Sequence, residues 1–135
     1  MMLDHVSIGV ADLGKARAFY DAVLATLGYA RVFDVDIPGQ GLVAHGYGAT
    51  KEKPEFWIGV PARIDSDANA KGGAHISFVA KARKDIDAFH AAALKAGGKD
   101  NGQPGLRPEY HATYYGAFAF DLDGNKIEAC SHHPE

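Results

Sequence analysis

Apolar and polar residues alternate over a short segment near the N-terminus, and a helical spacing follows it. Val6, Ile8 and Val10 alternate with polar or small residues, which predicts a half-buried strand. Apolar residues at i, i+3 and i+4 spacing come next, after Asp12 as a candidate N-cap and before Gly28 as a candidate C-terminal stop. The pattern therefore predicts a strand followed directly by a helix.

The same pattern returns at an offset of 70 residues. The segment 3–10 aligns with 73–80 without a gap, and 7 of the 24 positions from His5 to Gly28 are identical to their counterparts. Such a repeat indicates a duplicated structural unit. The sequence therefore predicts a single domain over 1–135, with one module at about 1–60, a linker at 61–72 and a second module at about 73–131.

Each half continues with strand candidates after its helix. These are 29–36, 42–47 and 56–60 in the first half; the second half has a weak strand near Lys99, a long loop at 101–111, and strands at 114–121 and 125–131. The Asp123-Gly124 pair favours a two-residue hairpin loop between the last two strands. The predicted fold class is α+β, with two βαβββ modules in one chain.

Length and composition limit the functional classes. The 135 residues are 47% hydrophobic and 23% charged, as in an ordinary globular domain. The net charge of -3 lacks the basic excess that nucleic-acid binding needs, and no apolar run is long enough for a membrane helix. With one cysteine and no signal peptide pattern at the N-terminus, we expect a cytoplasmic protein that acts on a small molecule.

Two histidines, His5 and His75, occupy equivalent positions on the first strands of the two modules. Related modules that pair about a pseudo-two-fold axis bring such positions together. Glu128 is expected to face the same cavity, because the flanking Ile127 and Ala129 are apolar and should cover the helices. Taken singly, each of these residues is more often packed or solvated, but together they predict a site for a divalent metal ion, Fe, Mn, Zn or Ni.

Several other side chains are candidates for substrate chemistry. If the hairpin loop has two residues, Glu128 lies opposite Ala119, and Tyr115 shares its face. Tyr115 and His111 are then candidates to donate or accept a proton. Arg107 is a candidate to bind an anionic substrate, or it is a solvated loop residue. The aromatic residues Tyr114 and Phe56 are further candidates for substrate binding, as is Ile58, which lies opposite Glu128 in the ungapped repeat.

Three sequence segments together resemble the vicinal oxygen chelate superfamily, the group of glyoxalase I, bleomycin-resistance proteins and extradiol dioxygenases. They are Asp4-His5-Val6-Ser7-Ile8, Gly73-Ala74-His75-Ile76-Ser77-Phe78 and the ending Asp121-Leu122-Asp123-Gly124-Asn125-Lys126-Ile127-Glu128. The segment 100–115 is similar to a branch of small bacterial glyoxalase-like proteins. The resemblance implies two modules that form an open, cupped barrel around a divalent metal, with His5, His75 and Glu128 at the ligand positions. It also implies a homodimer.

The sequence departs from the ligand set of glyoxalase I at one position, and it is compatible with two classes of function. Glyoxalase I uses four ligands, and the repeat offset places Ile58 where the fourth would stand, which argues against glyoxalase I itself. The favoured function is a metalloenzyme of the lyase, isomerase or dioxygenase type whose metal chelates vicinal oxygens of a small substrate. The alternative is a metal-free protein that sequesters a small molecule, as bleomycin-resistance proteins do, through its aromatic residues.

Overall fold

A computed structural model describes residues 2–60 and 74–135 of the chain. The two halves contain the same elements in the same order. The first half has β1 (Val6–Gly9), α1 (Leu13–Ala25), β2 (Ala30–Ile37), β3 (Gly41–Gly48) and β4 (Phe56–Gly59). The second has β5 (His75–Val79), α2 (Arg83–Lys95), β6 (Lys99–Leu106), β7 (Tyr115–Phe120) and β8 (Lys126–Ser131). The predicted α+β fold with two βαβββ modules is confirmed, while the predicted linker at 61–72 lies outside the described residues.

Local sequence signals set the ends of the helices. Asp12 is the N-cap of α1, and its Oδ1 accepts the backbone N–H of Lys15 at 2.9 Å. After α1 the chain turns at Gly28, whose φ of 87° lies in the region that glycine adopts without a steric penalty. Each helix then buries one apolar face; in α1 this face is Ala16, Phe19, Tyr20, Val23 and Leu24.

Each module forms a four-stranded mixed sheet that does not close. The strand orders are β1-β4-β3-β2 and β5-β8-β7-β6. The first strand of each module pairs in parallel with its last strand, and the other neighbours are antiparallel. This crossover puts side chains of the first and last strands side by side on each face of the sheet.

The two modules meet through their helices and the covered faces of their sheets. Helix α1 packs against α2, and the rings of Phe56 and Phe78 contact each other edge to face at a centroid distance of 5.1 Å. The buried Tyr20 hydroxyl of the first module donates to Asp121 Oδ2 of the second at 2.6 Å. A second bond runs from the Tyr29 hydroxyl to the Val79 carbonyl at 2.6 Å.

Two predictions about the second module are wrong in detail. Strand β6 extends to Leu106, so residues 101–106 of the predicted loop at 101–111 belong to a strand, whose register with β7 is irregular around Gly102 and Gly105. The last hairpin pairs Phe120 with Lys126, which leaves a loop of residues 121–125 instead of two residues. Asp121 holds that loop, because its Oδ1 accepts the backbone N–H groups of Asp123 and Asn125.

Neither helix in the described parts of the chain combines the length and the apolar character that crossing a bilayer requires.

Candidate functional site

The open face of the C-terminal sheet brings together two of the three predicted metal ligands. Residues Ile127 and Ala129 of β8 are buried in the core beneath the helices, so Glu128 between them points to the opposite face. Its neighbours in register are Ser77 on β5 and Phe118 on β7. On this face His75 Nε2 lies 3.1 Å from Glu128 Oε1.

Tyr114, just before β7, completes a row of three hydrogen-bonded side chains. Its hydroxyl donates a short bond to Glu128 Oε2, so each oxygen of this carboxylate has a partner. Glu128 is only 2% exposed, whereas the His75 side chain is 39% exposed and open to a ligand. Burial and the bond to Glu128 raise the pKa of Tyr114 far above that of a free phenol, so its hydroxyl keeps its proton at neutral pH.

A glycine leaves the space for this row. A Cβ built at Gly116 of β7 would lie 3.2 Å from Glu128 Oε2 and 3.2 Å from a ring carbon of Tyr114. Both contacts are tighter than an ordinary van der Waals distance, so a larger residue would displace the carboxylate or the phenol. Strand β7 is therefore shaped around the Tyr114–Glu128 pair.

The third predicted ligand, His5, lies elsewhere in the chain. It directly precedes β1 in the other module, its side chain is 50% exposed, and its Nδ1 is 2.6 Å from Asp4 Oδ1. The bond to His5 lowers the pKa of Asp4. Within residues 2–60 and 74–135, no set of three His, Cys, Asp or Glu side chains is grouped closely enough to hold a metal ion. The fold therefore supplies a two-residue pair, His75 and Glu128, that offers one imidazole nitrogen and one carboxylate oxygen.

A cavity of about 390 Å³ lies between the modules, and both histidines contribute to its wall. Its lining is mostly apolar and includes Phe56 and Phe78, with Asp4 and Glu55 among its acidic residues. Glu128 does not line it. His75 therefore belongs both to this cavity and to the Tyr114–Glu128–His75 row, whereas Glu128 belongs to the row alone.

The predicted equivalence of Ile58 and Glu128 is wrong by one residue. In the second module Ser77 pairs with Glu128, and the equivalent Ser7 of the first module pairs with Trp57. Ile58 pairs with Ile8 and is fully buried in the core. A shift of one residue along a strand exchanges its two faces, so the residue on the open face at this position is Trp57.

The N-terminal sheet thus presents aromatic side chains where the C-terminal sheet presents a carboxylate. The Trp57 ring covers Gly46, since a Cβ built there would approach the ring to 3.0 Å. Phe33 contacts Trp57 edge to face at 5.8 Å and is 53% exposed. Sequence reasoning missed Trp57 as a residue of the open face, although the pairing of Ser7 with Ser77 in the repeat was the signal that could have placed it.

The prediction that Tyr115 shares the face of Glu128 is also wrong. With the longer hairpin loop, Glu128 pairs with Phe118 rather than with Ala119, and Tyr115 pairs with Ser131. The Tyr115 hydroxyl donates to Asp87 of α2 at 2.7 Å, and Arg83 lies over its ring. Tyr115 therefore packs on the helix side, and the tyrosine beside the carboxylate is Tyr114.

The remaining predicted residues lie at different depths. Phe56 is buried in the core and also reaches the cavity between the modules. His111 is exposed; its Nε2 is 2.8 Å from Nδ1 of His132, and its ring contacts that of Tyr114 at 5.5 Å. Arg107 follows β6 and lies over the ring of Phe118 on the open face.

Comparison with known proteins identifies the family. The family model described as the Glyoxalase/Bleomycin resistance protein/Dioxygenase superfamily matches residues 2–129. The chain belongs to this superfamily. No curated protein matches the chain.

Solved structures of the glyoxalase superfamily share the fold. A glyoxalase/bleomycin resistance protein from Albidiferax ferrireducens T118 is 33% identical, with 96% of this chain and 98% of that chain covered and a TM-score of 0.80. A family enzyme from Burkholderia phytofirmans PsJN is 17% identical over 94% and 95% of the two chains, with a TM-score of 0.63. A glyoxalase I mutant from Zea mays is 22% identical over 95% of this chain and 46% of that chain, with a TM-score of 0.65. The last two similarities are in fold alone.

Proposed function

We propose that this glyoxalase-superfamily chain is a metal-assisted enzyme that acts on a small molecule at the open face of its C-terminal sheet. The observation that carries the proposal is the Tyr114–Glu128–His75 row. Glu128 is almost fully buried, hydrogen bonded through both oxygens, and next to the partly exposed imidazole of His75. Burying a carboxylate costs free energy, and groups in such environments cluster at functional sites.

The donor atoms fit a divalent ion. Ligand atoms that lie 2.0–2.2 Å from one ion are about 2.8–3.1 Å apart at a right angle and about 3.3–3.6 Å apart at the tetrahedral angle. His75 Nε2 and Glu128 Oε1 are 3.1 Å apart. An imidazole with a carboxylate suits Zn, Mn, Fe or Ni. When bound, such an ion supplies Lewis-acid polarisation of vicinal oxygens of the substrate.

The residues of the chain have distinct roles around that ion. Glu128 and His75 hold it, with the half-exposed imidazole at the solvent side. Tyr114 is a positioning residue: its protonated hydroxyl holds Glu128 Oε2, so Oε1 stays directed at His75. The reaction belongs to the lyase, isomerase or dioxygenase type found among metal-dependent members of the group.

We extend the proposal to a homodimer. His5 is the natural third ligand by its place in the repeat, yet it lies on the other module of the chain, away from Glu128. The open face of the N-terminal sheet carries exposed aromatic surface at Phe33 beside Trp57, which favours burial against another protein surface. A second copy that covers this face with its own C-terminal sheet brings His5 near His75 and Glu128.

Calorimetric titration with Mn(II), Ni(II), Zn(II) and anaerobic Fe(II) tests the proposal. We expect wild-type protein to bind one ion per chain, and His75→Ala and Glu128→Gln to lose that binding while circular dichroism stays unchanged. Tyr114→Phe should weaken binding about 10–100-fold, the usual effect of removing a residue that orients a ligand. His133→Ala is the matched control, because it removes an exposed imidazole from the C-terminal tail.

A second candidate function is sequestration of a small apolar molecule without a metal. The mostly apolar cavity of about 390 Å³ between the modules favours it, since this volume is within the range of small-molecule sites. If wild-type protein binds none of the four metals, or if His75→Ala binds them equally well, the metal-assisted enzyme is refuted and sequestration becomes the leading function.

A further inference from the structure

The guanidinium of Arg107 is held in place by backbone carbonyl groups on the open face of the C-terminal sheet. Its Nη1 donates to the Gly105 carbonyl at 3.0 Å, and its Nη2 donates to the Gln103 carbonyl at 2.7 Å. The guanidinium lies over the Phe118 ring, 5.6 Å from its centroid. In the part of the chain that the structure describes, none of these partners is a carboxylate, so the positive charge of Arg107 is fixed without an anionic partner.

A glycine makes room for this arginine. Gly102 of β6 has a φ of 154°, and a Cβ built there would lie 3.0 Å from Phe118 Cδ1 and 3.3 Å from Arg107 Nη2. The irregular register of β6 around Gly102 and Gly105 gives the strand the shape on which the guanidinium rests. The position of Arg107 is thus built into the strand and does not result from a side chain moving freely in solvent.

The arginine is close to the proposed metal pair. Phe118 contacts both the Arg107 guanidinium and the His75 ring, the latter at a centroid distance of 5.9 Å. Phe118 is also the register partner of Glu128. Lys126, which pairs with His75 across β5 and β8, adds a second cation to this sheet. The shared contact with Phe118 places His75 and Arg107 on one stretch of the open face.

We propose that Arg107 binds the carboxylate of a small anionic substrate whose other end lies at His75 and Glu128. The inference rests on the function proposed above and adds the substrate class. Nη1 donates to the carbonyls of Gly105 and Leu106, and Nη2 donates to that of Gln103. Of the five guanidinium N–H groups, Nε–H and the second N–H of Nη2 have no partner among the described residues and can donate to carboxylate oxygens. The carbonyl contacts and the stacking on Phe118 fix the guanidinium before binding, so little conformational entropy is lost when the anion arrives.

Phenylacetate and its neutral isostere phenylacetamide are suitable probes, with dissociation constants measured by ligand-observed NMR. We expect wild-type protein to bind phenylacetate at least about 10-fold more tightly than phenylacetamide. Arg107→Met keeps an apolar side chain over Phe118 and should abolish that preference by weakening phenylacetate alone. Lys99→Met removes one exposed cation from the same strand and should change neither constant more than about 2-fold.

Two further measurements do not depend on the folding of Arg107→Met. Arg107→Lys keeps the positive charge but not the parallel N–H donors of the guanidinium, so it should retain only part of the preference for phenylacetate. Added NaCl should weaken the binding of phenylacetate to wild-type protein and leave phenylacetamide unchanged. Equal affinity of wild-type protein for the two probes, or a preference that survives in Arg107→Met, overturns the proposal.

The test of carboxylate preference and the metal titration can succeed or fail independently of each other. A protein that binds metal through His75 but shows no carboxylate preference refutes only the role of Arg107. A protein that prefers phenylacetate through Arg107 but binds no metal refutes the metal-assisted function and leaves the anion site standing. His75→Ala should retain the carboxylate preference, because Arg107 is held by its own strand.

Discussion

The register of β4 can be tested by placing a carboxylate at each of two neighbouring positions. Ile58 is fully buried in the core, whereas Trp57 lies on the open face of the sheet. Ile58→Glu loses about 1.5–3 kcal/mol of apolar burial. Burying a carboxyl group without partners costs about 1–3 kcal/mol more. The expected loss in the free energy of unfolding is therefore about 2.5–6 kcal/mol.

Within one chain Trp57→Glu should cost much less, since its carboxylate lies outside the core and the contacts with Gly46 and Phe33 are those of a partly exposed side chain. We expect a loss below about 2 kcal/mol, in line with a partly exposed side chain. For a chain of this length, 1 kcal/mol corresponds to roughly 3–5 °C in Tm. Ile58→Glu should therefore melt about 8–30 °C below wild type. Trp57→Glu should melt less than about 10 °C below wild type and above Ile58→Glu.

Urea and thermal unfolding followed by far-UV circular dichroism provide the measurement. Ile58→Ala is the control that separates lost packing from the buried carboxyl group, and it should fall between wild type and Ile58→Glu. Both variants are compared at a concentration at which size-exclusion chromatography shows monomers, so that loss of dimer contacts does not contribute. If Trp57→Glu is then the less stable of the two glutamate variants, Trp57 faces the core. The assignment of Trp57, rather than Ile58, as the counterpart of Glu128 would then be incorrect.

Three further predictions follow from individual hydrogen bonds and contacts. Tyr20→Phe should lower the free energy of unfolding by about 1.5–3 kcal/mol, because it removes a buried hydrogen bond to a carboxylate between the modules. Tyr110→Phe is the exposed control and should have no effect. Equal urea midpoints for Tyr20→Phe and wild type would contradict this. Gly116→Ala should cost about 1–3 kcal/mol in thermal unfolding through overpacking, and a wild-type Tm would show that the site has spare room. The Gly102 backbone N–H and then His90 lower the pKa of Asp100, so its stabilising effect is present above the pKa of a free aspartate and is lost as pH falls through the lowered pKa of the folded state. Asp100→Asn should therefore destabilise the protein more at pH 7 than at pH 3, and a constant difference in unfolding would refute this.

Much of the fold could be predicted from local patterns in the sequence. The strand and helix periodicities, Asp12 as N-cap and the turn at Gly28 depend on neighbouring residues only, and all are present in the structure. The repeat predicted two similar modules. The apolar residues on either side of Glu128 predicted which face of β8 it occupies, because alternation along one strand is a local property.

The partners of each strand depend on interactions between distant residues, and here only the tertiary structure was decisive. The last hairpin loop has residues 121–125 because Asp121 binds its backbone and also accepts the Tyr20 hydroxyl of the other module. That loop length shifts β7 by one position, which places Tyr114 rather than Tyr115 beside Glu128. Side chains alternate between the two faces of a strand, so a shift of one residue exchanges a core residue with a site residue.

The grouping of the predicted ligands likewise follows from how the modules pack. The sequence placed His5 and His75 at equivalent positions, and this is a property of each module separately. Packing of α1 against α2, together with the bond between Tyr20 and Asp121, sets the relation between the two sheets and leaves His5 apart from Glu128 within one chain. The sequence determined which residues each module presents on its open face, while the burial of apolar area between the modules determined which of them meet.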